Sequence, residues 1–75
     1  MKIHVEKIDL FWFTKKQITE HLEYINNNYH CFEIKINPFD PESVDLNIRF
    51  DWFKREARQL GMMLSDNGLI AYSHE

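Results

Sequence analysis

Cys31 is the only cysteine in a chain of 75 residues, so no disulfide within the chain can support the fold. A domain of this size buries only about 60% of the surface of its unfolded chain. Its core therefore rarely supplies more than ~3–5 kcal/mol of net stability. Aromatic side chains, 15% of the residues, must carry much of that core. We expect one thin-cored domain over residues 1–75.

Charge and hydropathy indicate where such a domain acts. The chain has nine Lys and Arg against twelve Asp and Glu, a net charge of −3, whereas a nucleic-acid-binding domain normally carries a basic stripe. Residues 2–7 carry charges where a signal peptide needs an apolar run. No segment approaches the ~20 apolar residues that span a bilayer. Together with the single cysteine, these features predict a cytoplasmic protein that does not contact membranes.

Apolar and polar side chains alternate in two segments, residues 31–37 and 44–50. The alternating apolar residues are Phe32, Ile34 and Ile36 in the first and Val44, Leu46, Ile48 and Phe50 in the second. Alternation of this kind is typical of strands with one buried face. The intervening segment 37–43 is rich in turn formers. The pattern predicts an antiparallel hairpin in which Ile36 lies opposite Val44.

Two helices flank this predicted hairpin. Thr14 and Gln17 have the spacing of a capping box, and an apolar stripe follows, which predicts a helix over residues 14–27, ended by the asparagines 26–28. Asp51 is a suitable N-cap for a second helix. That helix either continues to Asp66, which keeps Leu64 in phase with its stripe, or ends at Gly61, with a strand and a turn after it. The longer helix is favoured.

The remaining segments complete a sheet. Residues 2–13 look extended but change phase, which predicts a bulge near Glu6 and Lys7 or two short strands. Residues 69–72 form the last strand. The order βαββαβ predicts a small α+β, ferredoxin-like domain, with two helices on one face of an antiparallel sheet.

No group of residues has the spacing of a catalytic, cofactor or metal site. The candidate ligands His4, His21, His30, Cys31 and His74 lack metal-binding spacings. Cys31 is predicted at the edge of the outer sheet face with no activating base nearby. Phosphate-binding and hydrolase motifs are absent. We expect no catalytic residue, no metal and no cofactor, and a small hydrolase using Cys31 or a histidine is a minor alternative.

Clustered aromatic residues are the strongest functional signal. Phe11 and Phe13 face away from Trp12 along an extended segment, so one side must miss the core. The same holds for Trp52 beside Phe53. Either a thin core recruits all of these rings, or one set stays exposed as a patch for a partner protein or a second copy. Phe11, Phe13 and Trp52 are the predicted protein-binding anchors.

A nucleic-acid surface is the alternative. It would use basic side chains on the two helices: Lys15, Lys16, Lys54, Arg55 and Arg58. Aromatic side chains that stack on RNA bases are missing from the predicted outer sheet face. The prediction is therefore a non-enzymatic protein-binding module, similar in type to small regulators or inhibitors that viruses and mobile elements direct against host machinery. A homodimer is possible.

A local pattern resembles the thumb signature of family X DNA polymerases. The residues that carry it are Phe53, Lys54, Ala57, Gly61, Leu64, Ser65, Gly68 and Leu69. In that family such a helix ends at the glycine and leads into a short hairpin, so the resemblance favours an end at Gly61. Residues 44–46 are similar to the palm strand that carries a metal-binding aspartate. The paired D-x-D and the nucleotide-binding loop are absent, and Asp45 is too close to the helix, so the resemblance implies no polymerase activity.

Overall fold

The computed structural model describes residues 2–37 and 40–73 of the chain. These residues contain two helices and four strands. In chain order these are β1 His4–Ile8, α1 Lys15–Asn28, β2 Phe32–Ile36, α2 Val44–Gln59, β3 Met63–Leu64 and β4 Ile70–Tyr72. The predicted small α+β fold is confirmed. The order is βαβαββ rather than βαββαβ. Residues 44–50, predicted as the second strand of the hairpin, lie in α2. His74 lies outside the described residues.

The strands form one mixed sheet in the order β1-β2-β4-β3. β1 runs parallel to β2, and α1 supplies the crossover that a parallel pair requires. β4 is antiparallel to both β2 and β3. The prediction of a purely antiparallel sheet is therefore wrong, and Ile36 pairs with Ile8 instead of Val44.

α1 confirms the predicted capping box. Thr14 Oγ1 accepts from the Gln17 N–H at 3.1 Å, and Gln17 Oε1 accepts from the Thr14 N–H at 2.9 Å. Its stripe, Ile18, Leu22 and Ile25, is buried. The helix runs through the asparagines expected to end it, and Tyr29 caps it in an extended conformation. Among the described residues only glycines have positive φ, so a left-handed asparagine is not used.

α2 begins at Val44, seven residues before the Asp51 N-cap that the sequence predicted. Ser43 is the N-cap, and its side chain accepts from the Leu46 N–H at 3.3 Å. The Asn47 amide donates to the carbonyls of Pro41 and Ser43, both at 2.7 Å. These contacts favour a helical start over the strand predicted for residues 44–50. Asp45 lies in the first turn of α2, where a carboxylate is favourable, and not on a strand.

A helical stripe overrides the alternation in this segment. Its buried members are Leu46, Phe50, Phe53 and Ala57. They recur at helical spacing, and burial of each large apolar side chain contributes about 1.5–3 kcal/mol. Val44 and Ile48, predicted to share the strand's buried face, are 72% and 48% exposed.

α2 ends before Gly61, as the shorter alternative predicted, and the favoured extension to Asp66 is wrong. Leu60 is the C-cap, and Gly61 adopts φ of +81°. A left-handed residue at this point ends the helix and is easiest for glycine. β3 and β4 then form the hairpin around residues 65–69. Leu64 therefore belongs to β3.

Both helices pack against each other over one face of the sheet. Ile34 on β2 and its neighbour Ala71 on β4 are fully buried beneath them. Residues 2–13 form a single strand followed by a turn, so the predicted bulge or second strand is absent there. Neither described helix is long and apolar enough to cross a membrane.

Proline substitutions test the helical assignment of residues 44–50. Val44 occupies the first helical position, where proline is tolerated, so Val44→Pro should change the free energy of unfolding by less than about 1 kcal/mol. Ile48→Pro should lower it by about 3 kcal/mol or more, because it lies inside the helix. Urea denaturation followed by circular dichroism measures both, with Ile48→Ala as the control. Equal damage from the two prolines would contradict a helix that starts at Val44.

Candidate functional site

The turn between β1 and α1, residues 9–13, presents the two most exposed aromatic side chains among the described residues. Leu10 anchors the turn, since its side chain is fully buried. The Phe11 N–H donates to Asp9 Oδ1 and the Trp12 N–H donates to the Asp9 carbonyl, both at 3.0 Å. The capping box at Thr14 then starts α1 directly. The backbone of this turn is therefore ordered by local hydrogen bonds.

Arg49 of α2 fastens the same turn from the other side. Its guanidinium donates to the carbonyl of Leu10 at 2.9 Å and to that of Phe11 at 2.8 Å. A guanidinium presents several donors in a fixed geometry, so one side chain can satisfy two neighbouring acceptors. Arg49 thereby joins α2 to the turn, and these two contacts span 39 and 38 positions of the sequence.

The aromatic pair, defined as Phe11 and Trp12, points into solvent. Phe11 is 61% exposed and Trp12 is 74% exposed. Their rings meet edge to face, with centroids 5.2 Å apart and planes at 79°. The other two predicted anchors differ: Phe13 and Trp52 are partly buried against the core, and Trp52 Nε1 donates to Thr19 Oγ1 at 3.0 Å.

Trp12 was missed as an anchor because the segment was expected to be extended. In a strand, Phe11 and Trp12 would point to opposite faces. A turn after Ile8 removes that alternation, so both rings reach solvent and contact each other. The sequence Asp9 to Thr14, with a turn former before a capping box, was the signal for the turn.

An open cleft of about 350 Å³ lies beside the aromatic pair. We call it the aromatic cleft, and its lining residues are Trp12, Phe13, Gln17, Glu20, His21 and Tyr24. The last four share one face of α1, since they recur at helical spacing. Trp12 and Phe13 close the cleft from the turn. Three aromatic rings and one carboxylate thus converge on a single surface depression.

His21, on the wall of this cleft, is fixed by a carboxylate from the sheet. Glu6 on β1 contacts His21 Nε2 with Oε2, and its Oε1 lies 3.2 Å from His4 Nε2. His4 in turn stacks on Tyr29 at 3.7 Å between centroids, with planes 4° apart. The sequence pattern did not indicate Glu6 as a contact residue. It places Ile3 and Val5 on one face of the strand but does not show which face the helices cover.

On the helix-facing side of β1, the carboxylate of Glu6 thus contacts two imidazole rings. Glu6 lies beside Ile34, which is fully buried, so His4, Glu6 and Ile8 face the helices. Ile3 and Val5 are 54% and 49% exposed. Within residues 2–37 and 40–73, no three His, Cys, Asp or Glu side chains form a group that could hold a metal ion.

The five predicted nucleic-acid-binding residues make different contacts within the chain. Lys15 and Arg55 approach the ring of Trp52 at 5.3 and 5.7 Å. Lys54 pairs with Asp51 at 3.4 Å and lies over Phe50. Lys16 pairs with Glu20 at 3.9 Å. Arg58 is exposed in the last turn of α2.

The open face of the sheet differs from the face that the sequence predicted. It carries Glu33 and Lys35 as expected, but their neighbours on β4 are Tyr72 and Ile70, not residues of the segment 44–50. An aromatic side chain therefore does lie there, although Tyr72 is only half-exposed. RNA-binding sheets stack two or three bases on exposed aromatics. Cys31, expected at the edge of this face, is buried.

Comparisons with known proteins give no further guidance. No family model, curated protein or solved structure matches this chain.

Loss of the Arg49 clamp should loosen the turn that displays the aromatic pair. Arg49→Lys keeps the charge but not the fork of donors, so we expect faster amide hydrogen exchange at Trp12 and a loss of about 1 kcal/mol in unfolding free energy. Exchange monitored by NMR measures the first and urea denaturation the second. Arg58→Lys on the same helix is the matched control. Unchanged exchange at Trp12 would contradict the clamp.

Glu6 should be worth more to stability than a carboxylate on the open sheet face. Glu6→Gln removes the charge that pairs with His4 and His21, and should lower the unfolding free energy by about 1–3 kcal/mol. Glu33→Gln makes the same charge change on the other face of the sheet and should have a smaller effect. Thermal and urea denaturation compare the two. Equal losses of unfolding free energy in the two variants would contradict a stabilising role for the contacts between Glu6 and the two imidazoles.

Proposed function

We propose that this domain is a non-enzymatic protein-binding module whose contact surface centres on Phe11 and Trp12. The supporting observation is that two adjacent large aromatic side chains, 61% and 74% exposed, project from a turn held by Asp9 and Arg49. Tryptophan is enriched among the residues that dominate binding energy. An ordered turn also loses less conformational entropy when a partner binds.

Two alternatives have weaker support. Nucleic-acid binding would need the cations of α1 and α2 on one surface, whereas Lys54 and Lys16 face carboxylates of the chain itself. A thiol enzyme would need Cys31 in contact with substrate, and this side chain is only 7% exposed. The module is proposed for the cytoplasm, where a single reduced cysteine is expected. A role as a regulator or inhibitor of viral type stays a prediction.

Capture from extract tests the proposal. Tagged protein is incubated with nuclease-treated extract of the native cell, and bound proteins are identified by mass spectrometry. Phe11→Ser and Trp12→Ser should each weaken affinity for a stoichiometric partner by about 2 kcal/mol, or ~30-fold, the effect of a dominant contact residue. Met63→Ser is the control, because Met63 is an exposed apolar residue on the distant edge strand β3.

Three outcomes distinguish binding of a protein through the aromatic pair, binding of nucleic acid and binding elsewhere on the domain. A partner retained by Met63→Ser and lost by both turn variants supports the proposal. Recovery that disappears with nuclease would move the assignment to nucleic acid, and a partner equally retained by all variants would contradict a role for the aromatic pair. Sedimentation of the purified protein identifies a homodimer, which the turn variants should convert to monomer if the second copy is the partner.

A further inference from the structure

The aromatic cleft beside the aromatic pair has the composition of a site for a cation. Its rings come from Trp12, Phe13 and Tyr24, and its carboxylate comes from Glu20. An ammonium or guanidinium group is attracted to the negative face of an aromatic ring, most strongly to tryptophan. A carboxylate at the rim adds Coulomb attraction for the same charge. The rings alone would also accept an apolar group, so the carboxylate is the feature that favours a cation. His21 lines the cleft as well, but its Nε2 contacts Glu6.

Each ring of the cleft is positioned by a neighbouring ring. Phe13 meets His21 edge to face, with centroids 5.6 Å apart. Tyr24 meets Tyr29 at 6.5 Å and 74°. Trp12 meets Phe11 in the same manner. Edge-to-face contacts of this kind stabilise aromatic pairs beyond the burial of their area. Each of the three rings therefore has an aromatic neighbour within the chain.

Three of the chain's own cations lie over rings outside the cleft. Lys15 and Arg55 lie over Trp52, and Lys54 lies over Phe50. Within residues 2–37 and 40–73, no lysine or arginine lies over the rings of the cleft.

Glu20 has only a weak partner within the chain. Its carboxylate lies 3.9 Å from Lys16 Nζ, and the two side chains are 64% and 87% exposed. Exposed ion pairs of this kind contribute little. Glu23, three residues further along the same helix, is also exposed but does not line the cleft.

We propose that the aromatic cleft binds a lysine or arginine side chain of the partner protein, so that a basic segment docks beside the aromatic pair. This inference rests on the proposed protein-binding function and specifies the chemistry of the partner. The basic side chain inserts between Trp12 and Tyr24 with its charge toward Glu20, while Phe11 contacts the partner outside the cleft.

NMR titration with small probes tests the cleft without the partner. N-acetyl-lysine methylamide should shift the Trp12 indole signal and the amide signals of Gln17, Glu20 and Tyr24. N-acetyl-norleucine methylamide has a similar apolar chain without the charge, and at constant ionic strength it should bind at least about 3-fold more weakly, since it forms no cation–π contact. Equal binding of the two probes would overturn the assignment of a cation.

Matched variants locate the binding. Glu20→Gln should weaken the lysine probe by about 2- to 5-fold, the range of an exposed ion pair, whereas Glu23→Gln makes the same charge change outside the cleft and should not. Trp12→Leu should weaken it by about 3-fold or more. Glu20→Gln keeps the test valid if Trp12→Leu disturbs the turn, because residue 20 is exposed. Equal effects at positions 20 and 23 would overturn the site.

Phe11→Ser distinguishes failure of this inference from failure of the proposed function. It should weaken capture of the partner far more than binding of the lysine probe, because Phe11 contacts Trp12 but does not itself line the cleft. If capture depends on Phe11 but the probes do not discriminate charge, the cation site is wrong and the binding module stands. If the lysine probe binds as expected but capture ignores Phe11, the proposed contact surface is wrong, and the inference that rests on it falls too.

Discussion

Burial of the apolar stripe of α2 against the sheet and α1 holds the layers of this domain together. Phe53 and Ala57 are fully buried, and Leu46 and Phe50 are nearly so. Because the stripe fixes the rotation of the helix about its axis, it also sets the direction of the polar residues between its members. Arg49 then reaches the carbonyls of the turn at residues 9–13, and Trp52 reaches Thr19 on α1. The same packing that stabilises the core therefore orders the surface that displays the aromatic pair.

Glu6 adds a second constraint, on the register of the edge strand. β1 has one neighbour in the described sheet, so its other edge has unpaired backbone groups. A slip of β1 by one residue would place Val5 against His21 and move Glu6 to the open face. The contact between Glu6 and His21 opposes that slip, and an inward-pointing carboxylate also discourages pairing with foreign strands. A thin core is thus supplemented at its margin by polar contacts.

Local signals predicted part of this fold and misplaced the rest. The capping box and the apolar stripe correctly predicted the first helix, and the alternation around Ile34 correctly predicted strand β2. Both patterns depend only on residues that are close in the sequence. Residues 44–50 alternate as well as 32–36 do, yet they are helical, since Leu46 and Phe50 extend the stripe of Phe53 and Ala57 upstream. That competition is decided by tertiary packing, which local alternation does not report. The same limitation hid the site: Phe11 could be named from its cluster, whereas Trp12 and Glu20 become neighbours only when the turn and α1 are in place.

The two tryptophans show how similar residues take different roles in one small domain. Trp52 is half-buried, its indole N–H is bonded to Thr19, and its ring is approached by Lys15 and Arg55, so its apolar and electrostatic capacities are largely used within the chain. Trp12 is 74% exposed, and its close ring contact is with the equally peripheral Phe11. Leaving such a side chain in water forgoes the roughly 1.5–3 kcal/mol that its burial would contribute. Small domains rarely have more than ~3–5 kcal/mol of net stability, and the proposed binding surface would bury this side chain when a partner binds.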